Sequence, residues 1–171
     1  DTFTFPTGEI FFKRSADNGA TWEPTRRVTY NEGTSEYPSV TAIGSNVYVA
    51  WDDNSFGNYE IFFKRSTDSG ATWEPTQCIT SNAGISYGPS MALSGSNVYV
   101  SWYDDTFGNE EIFLKRSLDS GVSWQTTQRL SYSAGPSEWP SAAASDSNVY
   151  VAWYDNTFGN NEILFKKGTV I

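Results

Sequence analysis

The sequence predicts an all-β protein built from repeated four-stranded antiparallel sheets, on three observations. First, an octapeptide that begins with Ser and ends with Trp occurs three times at a constant spacing of 51 residues, ending at Trp22, Trp73 and Trp124. A fixed period of that length is typical of repeat architectures. Second, turn-forming Gly, Pro, Asn and Asp recur about every dozen residues. Third, no stretch has the period of an amphipathic helix.

Each octapeptide has the composition of a tight hairpin. Gly19 and its counterparts can adopt the positive φ that such a turn needs, and the Asp two residues earlier can accept backbone N–H groups of its own turn. The closing Trp covers the turn with a large apolar surface. The residues that define the three copies are Ser15, Asp17, Gly19, Trp22, Ser66, Asp68, Gly70, Trp73, Ser117, Asp119, Gly121 and Trp124.

The octapeptide resembles the Asp-box, or bacterial neuraminidase (BNR) repeat, found in sialidases and in many β-propellers that are not sialidases. The resemblance covers the whole chain, because the rest of each 51-residue unit repeats as well. It implies a sialidase-like β-propeller in which the box itself is structural, and it leaves the activity open.

Each complete unit reads as four short strands. In the second unit they lie near residues 39–43, 46–52, 60–66 and 77–80. The second and third strands are continuously apolar, so both of their faces must be covered. Four-stranded sheets stacked face to face around an axis, as in a β-propeller, provide that cover. A β-solenoid is the alternative, although its repeats are usually shorter.

The chain is predicted to be a single repeat domain. Two complete blades lie in its middle, and an incomplete blade lies at each end. Residues 1–37 supply strands three and four of one blade, 38–88 and 89–139 are whole blades, and 140–171 supply strands one to three. Dividing 171 residues by the period gives about 3.35 repeats, fewer than the four blades a ring requires. Either a second chain completes the ring through the terminal strands, with a six-bladed homodimer favoured, or further sequence does.

Composition excludes several function classes. The formal charge is −9, which argues against nucleic acids and anionic membrane surfaces. The absence of His removes the usual general base near neutral pH. No apolar run could insert into a membrane. Cys78 has no partner for an intrachain disulfide, and its counterparts in neighbouring units are Arg27 and Arg129, which suggests a solvated edge. An acidic, Cys-poor chain suits an extracellular or cell-surface location.

The loops between strands two and three are candidate calcium sites. They repeat Asp, Asn and Glu around a Gly turn, and such hard oxygen ligands suit Ca²⁺. The alternative is a polar hairpin whose Asp and Asn side chains satisfy the turn backbone. The predicted function itself requires no cofactor. The candidate ligands are Asp53, Asn58, Glu60, Asp104, Asn109, Glu111, Asp155, Asn160 and Glu162.

The connections from strand four to the next strand one differ most between units. Variation on a rigid scaffold is typical of binding surfaces. An acidic acceptor beside an aromatic plate suits a sugar ring, so these connections are candidate glycan sites; covering of a blade junction is the alternative. The candidate residues are Glu36, Tyr37, Tyr87, Glu138 and Trp139.

These features predict a non-catalytic module for recognition or scaffolding. Lectin-like binding of carbohydrate between blades is one form of that recognition. A sialidase would need an arginine cluster, an Asp acid and a Tyr–Glu pair. The positions that match the family's Arg-Ile-Pro signature read Glu36-Tyr37-Pro38, Tyr87-Gly88-Pro89 and Glu138-Trp139-Pro140, without Arg. A sialidase-type glycoside hydrolase, or a fragment of one, is the first alternative, and a purely structural self-assembling protein is the second.

Overall fold

The fold is taken from a computed structural model that describes residues 8–169. This part of the chain forms β-strands and turns, and it contains no helix that could cross a membrane. The strands are β1 (Phe11–Phe12), β2 (Arg26–Arg27), β3 (Ser35–Ile43), β4 (Asn46–Asp53), β5 (Glu60–Ser66), β6 (Gln77–Cys78), β7 (Ser86–Ser94), β8 (Asn97–Asp104), β9 (Glu111–Ser117), β10 (Gln128–Arg129), β11 (Ser137–Ser145), β12 (Asn148–Asp155) and β13 (Glu162–Thr169).

Consecutive strands pair antiparallel into four separate sheets. The sheets β3-β4-β5-β6 and β7-β8-β9-β10 are complete four-stranded blades, whereas β1-β2 and β11-β12-β13 are partial ones. The first strand of the third blade, β7, contacts both β3 and β11, so neighbouring blades lie face to face with their first strands together. These observations confirm the predicted all-β, four-stranded blade architecture, and the four sheets do not close a ring.

The apolar strands are buried on both faces, as their composition predicts. Trp51 on β4 packs towards the first blade, among Ile10 and Val28. Tyr48 on the same strand packs towards the third blade, in a cluster that includes Trp102. Strands two and three therefore form the centre of each blade, and their side chains fill the spaces between blades.

The first strand of each blade is longer than predicted, because it runs through a β-bulge. In β3 the pairing with β4 shifts between Glu36 and Ser39, and Tyr37 has a φ of 48°. The bulge absorbs the following Pro38, which has no N–H for the sheet. The assignment of Glu36 and Tyr37 to a connecting loop was therefore wrong, since both lie within β3. The same holds for Tyr87 in β7, and for Glu138 and Trp139 in β11.

The octapeptides form closed hydrogen-bonded hairpins. In the second copy Ser66 Oγ accepts the N–H of Gly70 at 2.8 Å and donates to Asp68 Oδ1 at 2.7 Å. Asp68 also accepts the N–H and hydroxyl of Thr72 at 2.8 and 2.6 Å. Gly70 has a φ of 82°, as predicted, and Ser69 before it has a φ of 60°. These bonds hold the pKa of Asp68 far below its usual range.

The octapeptides also lock neighbouring blades together. The ring of Trp73 packs edge-on against Phe12 of the preceding blade, with centroids 5.3 Å apart, and Trp124 packs against Phe63 at 4.9 Å. Arg65 Nη1 of the second blade donates to Ser120 O in the third copy at 2.9 Å. Trp22, which has no preceding blade among residues 8–169, is exposed. The Trp therefore packs against the preceding blade rather than simply covering its own turn.

Both end blades expose the faces on which another blade would pack. Ile112 and Leu114 on β9 are buried against the last blade, whereas their counterparts on β13, Ile163 and Phe165, are 76% and 62% exposed. At the other end, Phe11 is 60% exposed. Its counterparts Phe62 and Phe113 are buried against the blade that precedes each. The outward faces of the two end blades are thus exposed among residues 8–169, whereas the equivalent faces between blades are buried.

Candidate functional site

The bulges of the first strands bring aromatic rings from different blades into one cluster. Trp139 lies 5.5 Å from Tyr37 and 5.4 Å from Tyr103, measured between ring centroids. Tyr103 lies 6.0 Å from Tyr87, whose ring is 4.7 Å from Tyr59. The rings form a continuous chain across three blades, which we call the aromatic cluster. Tyr37 and Trp139 remain about half exposed, so the cluster opens to solvent.

The backbone at each bulge explains why these rings converge. Tyr37, Gly88 and Trp139 occupy equivalent positions and share left-handed φ values of 48°, 59° and 51°. At Gly88 a Cβ atom would lie 2.8 Å from Tyr103 and 3.5 Å from Trp139. The second position therefore has to be glycine, because any side chain there would occupy the space that the two rings fill.

Three carboxylates border the aromatic cluster. Glu138 Oε2 accepts the hydroxyl of Tyr154 at 2.5 Å, Glu36 Oε2 accepts that of Tyr59 at 3.4 Å, and Asp52 Oδ2 accepts the N–H of Gly88 at 3.0 Å. The hydrogen bond to Glu138 raises the pKa of Tyr154 to about 12. The rim of the cluster therefore carries hydrogen-bond acceptors and negative charge.

Asp52 is the most perturbed of these carboxylates. It is fully buried, and its Oδ1 has no hydrogen-bond partner among residues 8–169. Burial raises the pKa of Asp52 to about 7, helped by the nearby charges of Glu36 and Asp53. At neutral pH this carboxyl group is therefore poised to hold or release a proton, which an ordinary surface Asp cannot do.

All five predicted glycan-site residues border the cluster: Glu36, Tyr37, Tyr87, Glu138 and Trp139. The predicted site residues did not include Asp52, Tyr59, Tyr103 or Tyr154. A signal for them exists in the repeat alignment. Asp52 stands where the next two units have Tyr103 and Tyr154, and Tyr59 aligns with Glu110 and Asn161.

The predicted metal ligands lie beside this region but are engaged with the protein. Asp53 Oδ2 accepts hydrogen bonds from Asn31 at 2.6 Å and from Ser35 at 2.5 Å, and its Oδ1 accepts the N–H of Ser55 at 2.8 Å. Burial opposes the charge on Asp53, but these hydrogen bonds outweigh it and lower its pKa. Asp104 and Asp155 make equivalent bonds in the next two blades.

Two of the remaining predicted ligands tie neighbouring loops together. Asn58 donates to the carbonyl of Gly84, and Asn109 donates to that of Gly135 at 2.9 Å. Asn160 donates to Glu162 at 2.8 Å. Glu60 and Glu111 are buried. Within residues 8–169 no three His, Cys, Asp or Glu side chains come together as a metal site. The geometry follows the polar-hairpin alternative, and calcium binding stays a prediction.

The arginines of the chain all lie away from the aromatic cluster. Arg14, Arg65 and Arg116 follow or end a third strand beside an octapeptide, and the others lie on the outer strands β2 and β10. The cluster is therefore acidic and aromatic, and this chain brings no guanidinium to it.

The fold is similar to those of solved carbohydrate-active enzymes. A Streptococcus pneumoniae sialidase matches with a TM-score of 0.60 at 18% identity, over 93% of this chain and 26% of that protein. A Fusarium graminearum GH93 α-L-arabinofuranosidase matches with a TM-score of 0.63 at 16% identity, over 95% and 54%. A Zobellia galactanivorans family 117 glycoside hydrolase matches with a TM-score of 0.62 at 8% identity, over 94% and 58%.

These likenesses establish a sialidase-like β-propeller fold and no more, because the identities are low. The chain spans only about a quarter to three fifths of the length of these proteins. No protein-family model matches the sequence, and no curated protein matches it.

Proposed function

We propose that this chain is a non-catalytic recognition module that binds neutral carbohydrate at the aromatic cluster, and that its octapeptides are Asp-boxes. The observation that carries the proposal is the continuous row of rings from Tyr59 to Tyr37 beside Glu36 and Glu138. The likeness to glycoside hydrolases and the acidic, cysteine-poor composition support a carbohydrate ligand and an extracellular setting.

The chemistry of the cluster favours a neutral sugar. A pyranose or furanose ring stacks its C–H face on an exposed aromatic ring, and Trp139 and Tyr37 offer such faces. Carboxylates such as Glu138 accept hydrogen bonds from sugar hydroxyls. An acidic sugar would bring its own negative charge beside Glu36 and Glu138 with no arginine to offset it.

A glycan array followed by titration calorimetry tests this proposal. We expect neutral glycans to bind and sialylated ones to be rejected. Trp139→Ala should weaken binding by roughly tenfold or more, because an aromatic hot spot contributes about 2 kcal/mol. Phe158→Ala is the control, since Phe158 is an exposed aromatic residue outside the aromatic cluster. Equal losses in both variants, or an array without hits, would refute the proposed site.

A second candidate is glycoside hydrolysis, which one observation favours. The buried Asp52, with its pKa of about 7, has the protonation expected of a general acid. Release of nitrophenol from a panel of neutral nitrophenyl glycosides tests it. Turnover that disappears in Asp52→Asn but persists in Asp17→Asn would replace the non-catalytic proposal. No turnover with retained glycan binding supports recognition.

We propose further that a second copy of the chain covers the exposed end faces and completes the ring. The burial of Ile112 and Leu114 against the next blade, in contrast to exposed Ile163 and Phe165, supports a blade as the missing neighbour. Light scattering should give a homodimer. Phe165→Asp should shift it to monomer, whereas Phe158→Asp, on an exposed loop, should not. A monomeric wild-type chain would exclude this assembly. If the chain assembles but binds no glycan on the array, the purely structural alternative is favoured.

A further inference from the structure

The structure repeats one guanidinium-binding arrangement on the outer strands of two units. In the third unit Arg129 Nη2 donates to Glu111 Oε1 at 2.8 Å, and its Nε donates to Ser131 O at 2.9 Å. The guanidinium carbon lies 4.6 Å from the ring of Phe107 and 4.5 Å from that of Tyr132. A carboxylate, a carbonyl and aromatic faces together satisfy a guanidinium in charge, hydrogen bonding and stacking. We call this arrangement the guanidinium cradle.

The first unit fills its cradle in the same way. Arg27 donates to Glu9 through Nη2 and to Thr29 O through Nε, the latter at 2.7 Å. Its guanidinium carbon lies 4.8 Å from the ring of Tyr30. The cradle is therefore a repeated feature of the fold, and the chain fills it twice with its own arginine.

The second unit keeps the cradle but lacks its occupants. Cys78 stands where the other units have Arg27 and Arg129, and Ser81 stands where they have Tyr30 and Tyr132. The thiol of Cys78 donates to Thr80 O at 3.0 Å and so replaces only the Nε contact. Burial and the nearby Glu60 raise the pKa of this thiol to about 11, so it stays neutral.

Glu60 consequently lacks the cation that its counterparts have. It is only 4% exposed, and Oε2 has no hydrogen-bond partner in the described part of the chain. Its Oε1 accepts only the N–H of Asn82, at 3.1 Å. A buried carboxylate left without a cation or a full set of donors costs free energy, so a cation that reached it would bind favourably.

A cavity of about 500 Å³ lies between the second and third blades, next to Cys78 and Ser81. Cys78, Ser81 and Asn82 line it from the second blade, and Trp102 and Phe113 line it from the third. Two cations also line it, and both are engaged. Lys115 Nζ donates to Ile79 O at 2.6 Å, and Arg129 pairs with Glu111. Glu60 and Phe56 do not line this cavity, so the room within the second unit's cradle is the space left by the small side chains of Cys78 and Ser81, which stand in place of Arg and Tyr.

We propose that the cradle of the second unit is a binding site for an alkylguanidinium group, such as an arginine side chain, which takes the place that Arg27 and Arg129 hold in the other units. The ligand forms the missing ion pair with Glu60 and takes the space that Cys78 and Ser81 leave free. Phe56, the counterpart of Phe107, is exposed and supplies the aromatic face. This inference is independent of the carbohydrate proposal, because it uses none of the residues of the aromatic cluster.

Titration of the full chain with ethylguanidinium chloride, followed by the indole N–H resonance of Trp51 in ¹H–¹⁵N spectra, tests the proposal, because Trp51 stacks on Phe62 next to Phe56. We expect a saturable shift for the wild type. Glu60→Gln should weaken binding by roughly tenfold or more, because the ion pair is lost. Cys78→Arg should abolish the shift, because the introduced side chain fills the cradle. Ethylammonium, which has the charge without the planar fork, should bind much more weakly.

Two results would overturn the proposal. One is equal affinity of ethylguanidinium for the wild type and Cys78→Arg, and the other is a linear drift without saturation in every protein. Dispersed spectra of both variants exclude misfolding as the cause of lost binding. Free arginine and N-acetylarginine N-methylamide distinguish the sources of the ligand. Tighter binding of the capped form indicates an arginine on a partner protein, and tighter binding of the free form indicates the amino acid itself.

Discussion

Restoring the missing arginine of the second unit should stabilise the protein. In Cys78→Arg the new guanidinium can meet Glu60 as Arg129 meets Glu111, at 2.8 Å, and its Nε can replace the thiol as donor to Thr80 O. The small side chain of Ser81, which stands where the other units have Tyr30 and Tyr132, leaves space for the new side chain.

The magnitude follows from the third unit. A hydrogen bond to a charged group contributes about 1.5–3 kcal/mol, whereas ordering an arginine side chain costs up to about 2 kcal/mol. The Arg129 side chain is 21% exposed, so solvent screens the pair only in part. We expect a net gain of about 1 kcal/mol in the free energy of unfolding, which corresponds to a rise in Tm of about 2–4 °C for a chain of this size.

Thermal unfolding followed by circular dichroism, at one protein concentration, measures this change. Cys78→Arg combined with Glu60→Gln completes a double-mutant cycle, and a coupling of about 1 kcal/mol is expected if the two groups pair. The reverse change, Arg129→Cys, should cost about 2–3 kcal/mol, because it leaves the fully buried Glu111 without its cation. An unchanged or lower Tm in Cys78→Arg, or zero coupling with Glu60→Gln, would refute the reasoning.

Two further predictions concern the aromatic cluster and the octapeptides. The folded-state pKa of Asp52 is about 7, above its unfolded value near 4, so its contribution should be fully present below pH 4 and be lost as the pH rises towards 7. Urea unfolding should therefore show the wild type losing stability relative to Asp52→Asn across that range, and parallel pH profiles would contradict the assigned pKa. Gly121→Ala should destabilise by about 2 kcal/mol or more, because φ is 82° and a Cβ would lie 2.6 Å from Phe63. Gly95→Ala is the control, with a φ of 58° and open space around it, and equal costs in urea unfolding would show that the contact with Phe63 is unimportant.

The blade architecture could be read from the sequence because its determinants are local and repeated. The 51-residue spacing, the octapeptide turns and the doubly apolar second strands each specify structure within a few residues of themselves. For that reason the bounds of β5 agree with those predicted, and β4 is one residue longer than predicted. The first strands were predicted too short, because a proline usually ends a strand and the bulge that accommodates it depends on pairing with the next strand.

The residues that make up the aromatic cluster and the guanidinium cradle are brought together by contacts between strands that are distant in sequence. The sequence indicated Tyr37 and Trp139 as candidates, but their convergence with Tyr103 follows from the stacking of three blades. Cys78 was interpreted as a residue at a solvated edge, and it is exposed. The consequence for Glu60 emerges only when β5 and β6 pair.

The sequence by itself therefore determined the repeat, the strands and the hairpins, because hydrogen bonding and apolar periodicity act over short stretches of chain. Tertiary structure decided which side chains share a site, because residues about 50 positions apart meet only when the blades pack face to face. It also decided which charge is left without a partner, because a pair such as Glu111 and Arg129 forms across strands that only folding brings together.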